Sequence, residues 1–214
     1  MSKVEHLFPD PGRGTLGPLI VYKMFGNSYY RIKPDKYHDK KSDDQLKQRS
    51  KFTISREFIR PFKDVIRKTY ANEAKERRCA AFQACHSHML RHAIVEQDGA
   101  ITIDIDQALL SKGPLSVPKE ASIEFLPDGI QFKWDTAYDG EGDEYDTLAI
   151  ICQLTGENES LIQFTGVPRC EGEFFWKSSA YFPNYKTNIW IAFRSEDETL
   201  MSNSKCLSFY LSQD

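Results

Sequence analysis

The sequence predicts an α+β protein: an N-terminal β-hairpin with an αα-hairpin, followed by an immunoglobulin- or fibronectin III-like β-sandwich. Three observations carry that expectation. Gly26 and Asn27, residues that tolerate positive φ, separate two β-rich runs within residues 16–33. Apolar side chains recur at helical spacing through Phe58, Phe62, Val65, Ile66, Thr69 and Tyr70. Short apolar runs divided by turns then fill roughly the last 100 residues, the spacing of a sandwich.

Taken in order, residues 1–14 hold Pro9, Pro11, Gly12 and Gly14 and read as a mobile leader. Residues 16–24 and 29–33 are the arms of the hairpin, the second ended by Pro34. Two strands alone are marginal in water, so this hairpin needs a surface to pack on. Ser42 suits a helix N-cap, with Asp43 and Asp44 in a first turn where the helix dipole favours acid. Pro61 removes a helical hydrogen bond, so a kink or two abutting helices are expected there. A second, alanine-rich helical run covers about 75–95, and 100–106 alternates as a half-buried strand does.

Gly113, Pro114 and Pro118 mark a domain boundary, giving a basic hairpin and helical region over 1–113 and a sandwich over 114–214. The expected sandwich strands are 121–125, 130–135, 147–154, 160–164, 173–177, 187–194 and 206–211. Trp134 is the buried-type tryptophan among them, and 190–194 is read as alternating between two faces.

The 214 residues include 40% hydrophobic and 28% charged side chains, an ordinary balance for one or two globular domains. No run approaches the ~18 apolar residues of a membrane span, and the N-terminus lacks a signal peptide's apolar core. Cys79, Cys85, Cys152, Cys170 and Cys206 are odd in number and include no CxxC pair. Reduced thiols in a cytoplasm fit them better than a disulfide framework. The net charge of −3 conceals a split. Residues 1–95 carry 20 basic and 10 acidic side chains, the remainder 8 and 21. Such polarity implies two parts with different partners, or two that attract each other.

Three constellations could carry chemistry. Arg31, Lys33, Lys36, Lys40, Lys41, Lys47, Arg49, Lys51, Arg56 and Arg60 are interleaved with Tyr29, Tyr30 and Tyr37. Cations neutralise phosphates and aromatic rings stack on unpaired bases, so this composition suits nucleic acid. Against that stand Asp35, Asp39, Asp43, Asp44 and Glu57, and the commoner meaning of a charge run is a solvated face. Cys85, His88 and His92 share a helical face at i, i+3 and i+7, with Glu96 extending it, and zinc accepts these ligand types. Buried cysteine and core-edge histidine are the commoner roles, and no second ligand cluster exists to complete a site. Asp139 to Asp146 resembles a calcium loop in composition but lacks its closing glutamate, and a solvated inter-strand loop is the simpler reading. Gly12-x-Gly14-x-x-Gly17 matches a dinucleotide fingerprint by letter, yet it precedes a strand where that motif links a strand to a helix. No GxSxG, Walker A or HExxH sequence occurs, so neither an enzyme nor a cofactor is expected.

A family resemblance joins these pieces. Gly14, Gly17, Val21, Tyr22, Gly26, Asn27, Tyr30, Arg31 and Pro34 resemble the opening of the uncharacterised Bacteroidetes family called domain of unknown function 6266. Gln45, Gln48-Arg49, Lys51-Phe52, Phe58, Pro61, Ala93-Ile94 and the run Leu109–Leu115 continue the likeness. Trp190–Phe193 and Ser202–Ser204 are similar to its last strands. The resemblance implies a basic N-terminal region joined to a β-sandwich, with no catalytic motif, and it does not call for Cys85 and its neighbouring histidines. The expected function is therefore non-enzymatic, an interaction or structural protein. Its contact surface lies on the hairpin and first helix, at Tyr29, Tyr30, Arg31, Lys33, Arg49, Lys51 and Arg56. The partner is another protein or a second copy of the chain, no membrane is involved, and nucleic acid is the alternative.

Overall fold

The computed structural model describes residues 2–3, 14–24, 26–34, 39–97, 99–153, 160–177 and 188–208. The chain divides into two compact units, Met1–Leu46 and Lys47–Asp214. The mixture of helices and antiparallel sheets is α+β.

The first unit is a four-stranded antiparallel sheet. Its strands are β1 (Ser2–Lys3), β2 (Gly14–Leu16), β3 (Leu19–Met24) and β4 (Asn27–Ile32), in the order β1-β4-β3-β2. The expected hairpin is its centre, paired from Leu19↔Ile32 to Met24↔Asn27. The arm expected over 16–24 is cut, because Gly17 at φ 55 followed by Pro18 turns the chain and hands Leu16 to β2. A two-residue hairpin turn needs that positive φ. Gly26 serves the next turn at φ 78, while Phe25 and the leader residues 4–13 lie outside the described residues.

Helix α1 (Asp43–Ile59) opens with Ser42 Oγ accepting the Gln45 amide at 3.4 Å, the expected cap. It stops before Pro61, and α2 (Lys63–Thr69) begins beyond it. The expected αα-hairpin is instead a set of four helices, with α3 (Ala71–Glu76) and α4 (Ala81–His88) following. The helix expected over 75–95 is broken twice. Arg78 adopts φ 49, and helix resumes after Ala80, whose amide donates to Gln83 Oε1 at 3.3 Å. A π-helical turn, Met89–Ala93, then delivers the chain into β5 (Ile94–Gln97), which pairs with β6 (Ala100–Ile103). Cross-strand partners for β-branched Ile94 and Val95 outweigh the local helical pattern there.

Seven further strands overlap those the sequence predicts, the expected positions 154, 187 and 209–211 lying outside the described residues. They are β7 (Lys119–Leu126), β8 (Gly129–Asp135), β9 (Thr147–Gln153), β10 (Ser160–Pro168), β11 (Glu173–Lys177), β12 (Asn188–Arg194) and β13 (Lys205–Ser208). They form a three-stranded sheet, β11-β8-β7, and a four-stranded sheet, β10-β9-β12-β13. One core lies between the sheets: Ile130, Phe132 and Trp134 meet Leu148, Ile150, Ile189, Ile191 and Phe193. The opposite face of the four-stranded sheet gives Ile151 and Trp190 to a second core with Ile59, Phe62, Ile66, Tyr70, Cys85 and Met89 from the helices. Trp190 packs its ring edge-on to Phe62 at 5.5 Å and donates its indole N–H to the Ala108 carbonyl at 2.8 Å. The second unit therefore has three layers, with β9 and β12 buried on both faces. The boundary expected near residue 114 falls within this unit, and Gly113 is needed there for space: a side chain would strike the Met201 carbonyl.

Candidate interaction surface

The sheet of the first unit presents two faces of different chemistry, fixed by its register. Leu16, Leu19 and Ile32 are direct cross-strand neighbours on one face, which continues through Val21 and Tyr30. Leu16 is 67% and Ile32 75% exposed, whereas Val21, at 6%, is the one buried hydrophobic side chain among this unit's described residues. Lys23 is the only charge on this face among the described residues of β2, β3 and β4. The other face carries Ile20, Tyr22, Tyr29 and Arg31, with Tyr22 and Tyr29 stacked at 5.5 Å across the strands. Tyr29 and Arg31 thus share a face that Tyr30 does not. Lys33 follows β4 and donates its amide to the Pro18 carbonyl at 2.7 Å.

The other three expected contact residues belong to α1 in the second unit, and its geometry sorts them. Lys51 joins Lys47 in a paired contact with Glu96 on β5, at 3.7 and 2.5 Å. The two lysines hold the Glu96 carboxyl below its ordinary range, the hydrogen bond from Lys47 being the largest cause. Arg49 and Arg56 are a near-integral number of helical turns apart, exposed on the side opposite half-buried Ile54 and Phe58, and exposed Arg60 follows the end of the helix. Phe52, also exposed, meets His86 edge-on at 5.2 Å. Lys36 and Tyr37, members of the same basic and aromatic set, lie outside the described residues.

Cys85, His88 and His92 do not converge. Cys85 is buried with its Sγ 3.7 Å from the Leu109 carbonyl, the oxygen that also accepts from the Tyr70 hydroxyl at 2.9 Å. Burial pushes the Cys85 thiol up to about 12 and raises Tyr70 well above its usual value, so both stay protonated at neutral pH. α4 ends at His88, and the π-helical turn re-aims His92, leaving the two imidazoles packed at 4.7 Å. His88 Nε2 is buried without a partner. Its pKa is lowered, by burial first and by His92 second. Among the described residues no group of three histidine, cysteine or carboxylate side chains is placed to hold a metal ion.

The acidic loop is solvated at Asp139, Glu141, Asp143 and Glu144, as expected, and Asp146 alone turns inward. Asp146 Oδ2 accepts the Asp143 amide at 3.0 Å and meets Arg169 Nη2 at 3.2 Å. The Arg169 guanidinium is wholly buried over the Phe193 ring at 3.7 Å, and it also donates to the carbonyls of Asp143 and Ser116. Sequence reading missed this group. An arginine between two strand runs carries no local signal of burial, and its partners lie 23 to 53 residues away. The apolar strip escapes sequence reading for a different reason: it crosses three strands, and the sequence pattern runs Leu16 on into the arm that becomes β3. Among the described residues no helix is long and apolar enough to cross a membrane.

A family model described as a family of unknown function, DUF6266, matches residues 12–208. No curated protein matches the chain.

Proposed function

We propose that this chain, which belongs to the family of unknown function DUF6266, is a non-enzymatic interaction protein of the cytoplasm that associates with a second copy of itself. The contact surface is the Leu16–Leu19–Ile32 face of its first unit. The exposure of that strip carries the reading: three apolar side chains stand side by side across β2, β3 and β4, two of them mostly open to water. A nearly uncharged apolar face is complementary to itself, as a two-fold interface requires, and it offers phosphate nothing. Light scattering after size exclusion tests this over a range of concentrations. The parent chain is expected to gain mass as concentration rises, and Leu16→Glu with Ile32→Glu to hold it at monomer mass. A parent chain that stays monomeric throughout overturns the proposal.

The second unit serves this reading as a rigid support. We assign its strands β7–β13 to a fibronectin III-like sandwich over residues 114–214. What supports the assignment is strand order: the first, second and fifth strands form one sheet, and the third, fourth, sixth and seventh the other.

One observation favours a second reading, nucleic-acid binding through the basic half. Arg49 and Arg56 are exposed on one side of α1, and exposed Arg60 directly follows it. Titration with DNA and RNA at two salt concentrations tests it, because phosphate contacts release counterions and give a steep salt dependence. Arg49→Gln with Arg56→Gln is expected to remove such binding. Lys51→Gln is expected to change it little, since Lys51 already faces Glu96.

A further inference from the structure

We infer that the cleft between the helices and the outer face of the four-stranded sheet is a binding site for a small monocarboxylate. The cleft has a volume of about 120 Å³, and three cations from separate elements line it: Lys68 from α2, Lys112 from the connector before β7, and Arg194 from the end of β12. At ~30 Å³ per water, the space holds roughly four waters, or an anion of acetate or propionate size.

Two of these cations already have counter-charges, and neither is used up by them. Lys112 Nζ meets Glu73 at 2.9 Å, and Arg194 Nη2 meets Glu198 at 2.7 Å. An ammonium has three donors and a guanidinium five, so further acceptors can be taken. The Arg194 guanidinium lies over the Phe164 ring at 4.3 Å, which fixes its plane and leaves its in-plane donors for a carboxylate fork. With Arg77, which also meets Glu73, and with Asp197 of the neighbouring loop, four cations stand against three carboxylates and leave one positive charge, which suits a monoanion better than phosphate. Phe164, Met201 and Ala71 supply an apolar wall for a short alkyl group.

The loop that closes the cleft is built to hold a strained residue. Glu198 adopts φ 64, a region a non-glycine residue rarely occupies. Asp197 Oδ1 accepts from Ser195 Oγ at 2.6 Å and from the Thr199 amide at 3.1 Å, and Asn72 Nδ2 reaches across to the Thr199 carbonyl at 2.5 Å. Held so, Glu198 places its carboxylate on Arg194 while remaining mostly exposed. It is a stand-in for the ligand's own carboxylate, able to swing into water when a ligand enters.

Calorimetric titration of the full chain with acetate and propionate, and in parallel with inorganic phosphate at matched ionic strength, tests the site. Saturable one-to-one carboxylate binding is expected. It should weaken by about tenfold or more in Arg194→Gln, which loses a charged hydrogen bond. It should tighten by about threefold in Glu198→Gln, which removes the competing carboxylate. A gain of affinity from deleting a charge is an outcome that general damage to the fold would not produce. If Arg194→Gln fails to fold, Glu198→Gln and Lys68→Gln, both at exposed positions, still decide. Absence of saturable carboxylate binding, phosphate binding in its place, or a Glu198→Gln variant no tighter than the parent would each overturn the inference.

Discussion

The molecule holds two four-stranded antiparallel sheets of opposite fate. The sheet β10-β9-β12-β13 is covered on one face by helices and on the other by a second sheet. The sheet β1-β4-β3-β2 has one buried hydrophobic side chain among its described residues and leaves Leu16 and Ile32 in water. The ladders are of the same kind, so backbone hydrogen bonding does not separate them. Composition does. Leu148–Cys152 and Ile189–Phe193 are unbroken apolar runs, whereas β3 and β4 mix aliphatic residues with tyrosine, lysine and arginine. A strand buried on both sides needs an apolar residue at every position. Such a sheet is a core, and its partly covered counterpart is available as a surface.

This contrast is sharpest at Trp190. Replacing it with alanine removes the contact to Phe62 and the bond to Ala108, and is expected to cost about 3–5 kcal/mol by urea denaturation. A loss below ~1 kcal/mol, the range of a half-exposed position, would mean that the helical layer does not hold the sheet. By the same argument a 114–214 fragment, stripped of the helices that cover Ile151 and Trp190, should unfold without a cooperative transition.

Next in size is the buried pair beneath the acidic loop. Asp146→Ala leaves the Arg169 guanidinium uncompensated over Phe193 and should destabilise by about 3–5 kcal/mol. Adding Arg169→Met should recover most of that loss, because the cost lies in the orphaned charge. A double variant as unstable as the single one would assign the loss to packing.

A smaller effect is expected from acid. His88 is held neutral in the fold, its pKa below the ordinary histidine value of 6.5, through burial and the neighbouring His92. The unfolded chain takes up that proton first. Stability should therefore be intact above pH 6.5, fall as pH drops through that value, and level off once the folded His88 also titrates. His88→Gln should flatten this portion of the pH profile, and an unchanged slope would point to another group.

The least effect on stability belongs to the first unit. Leu16→Glu and Ile32→Glu should each shift unfolding by no more than ~0.5 kcal/mol, while Ile191→Glu in the central sheet should prevent folding. A large loss at Leu16 or Ile32 would show that the strip is already covered within the molecule.

Much of this was legible in the sequence. Strands β7–β13 were legible because turns and apolar runs are local signals, and the Ser42 cap and the stop before Pro61 follow from single residues. The β-hairpin was legible too, since glycine with positive φ fixes a turn without help from the rest of the chain. The break of helix at Arg78, the π-helical turn and β5 were not, because β5 exists only through its pairing with β6. Nor was the double-sided burial of β9 and β12. Their continuous apolar runs were visible, but a run alone does not say what lies above and below it. Arg169 on Asp146 and Phe193, the parting of Cys85 from His92, and the placing of Lys68, Lys112 and Arg194 around one cleft are likewise tertiary decisions. They depend on where elements distant in sequence are placed against one another, and short-range propensity carries no record of that.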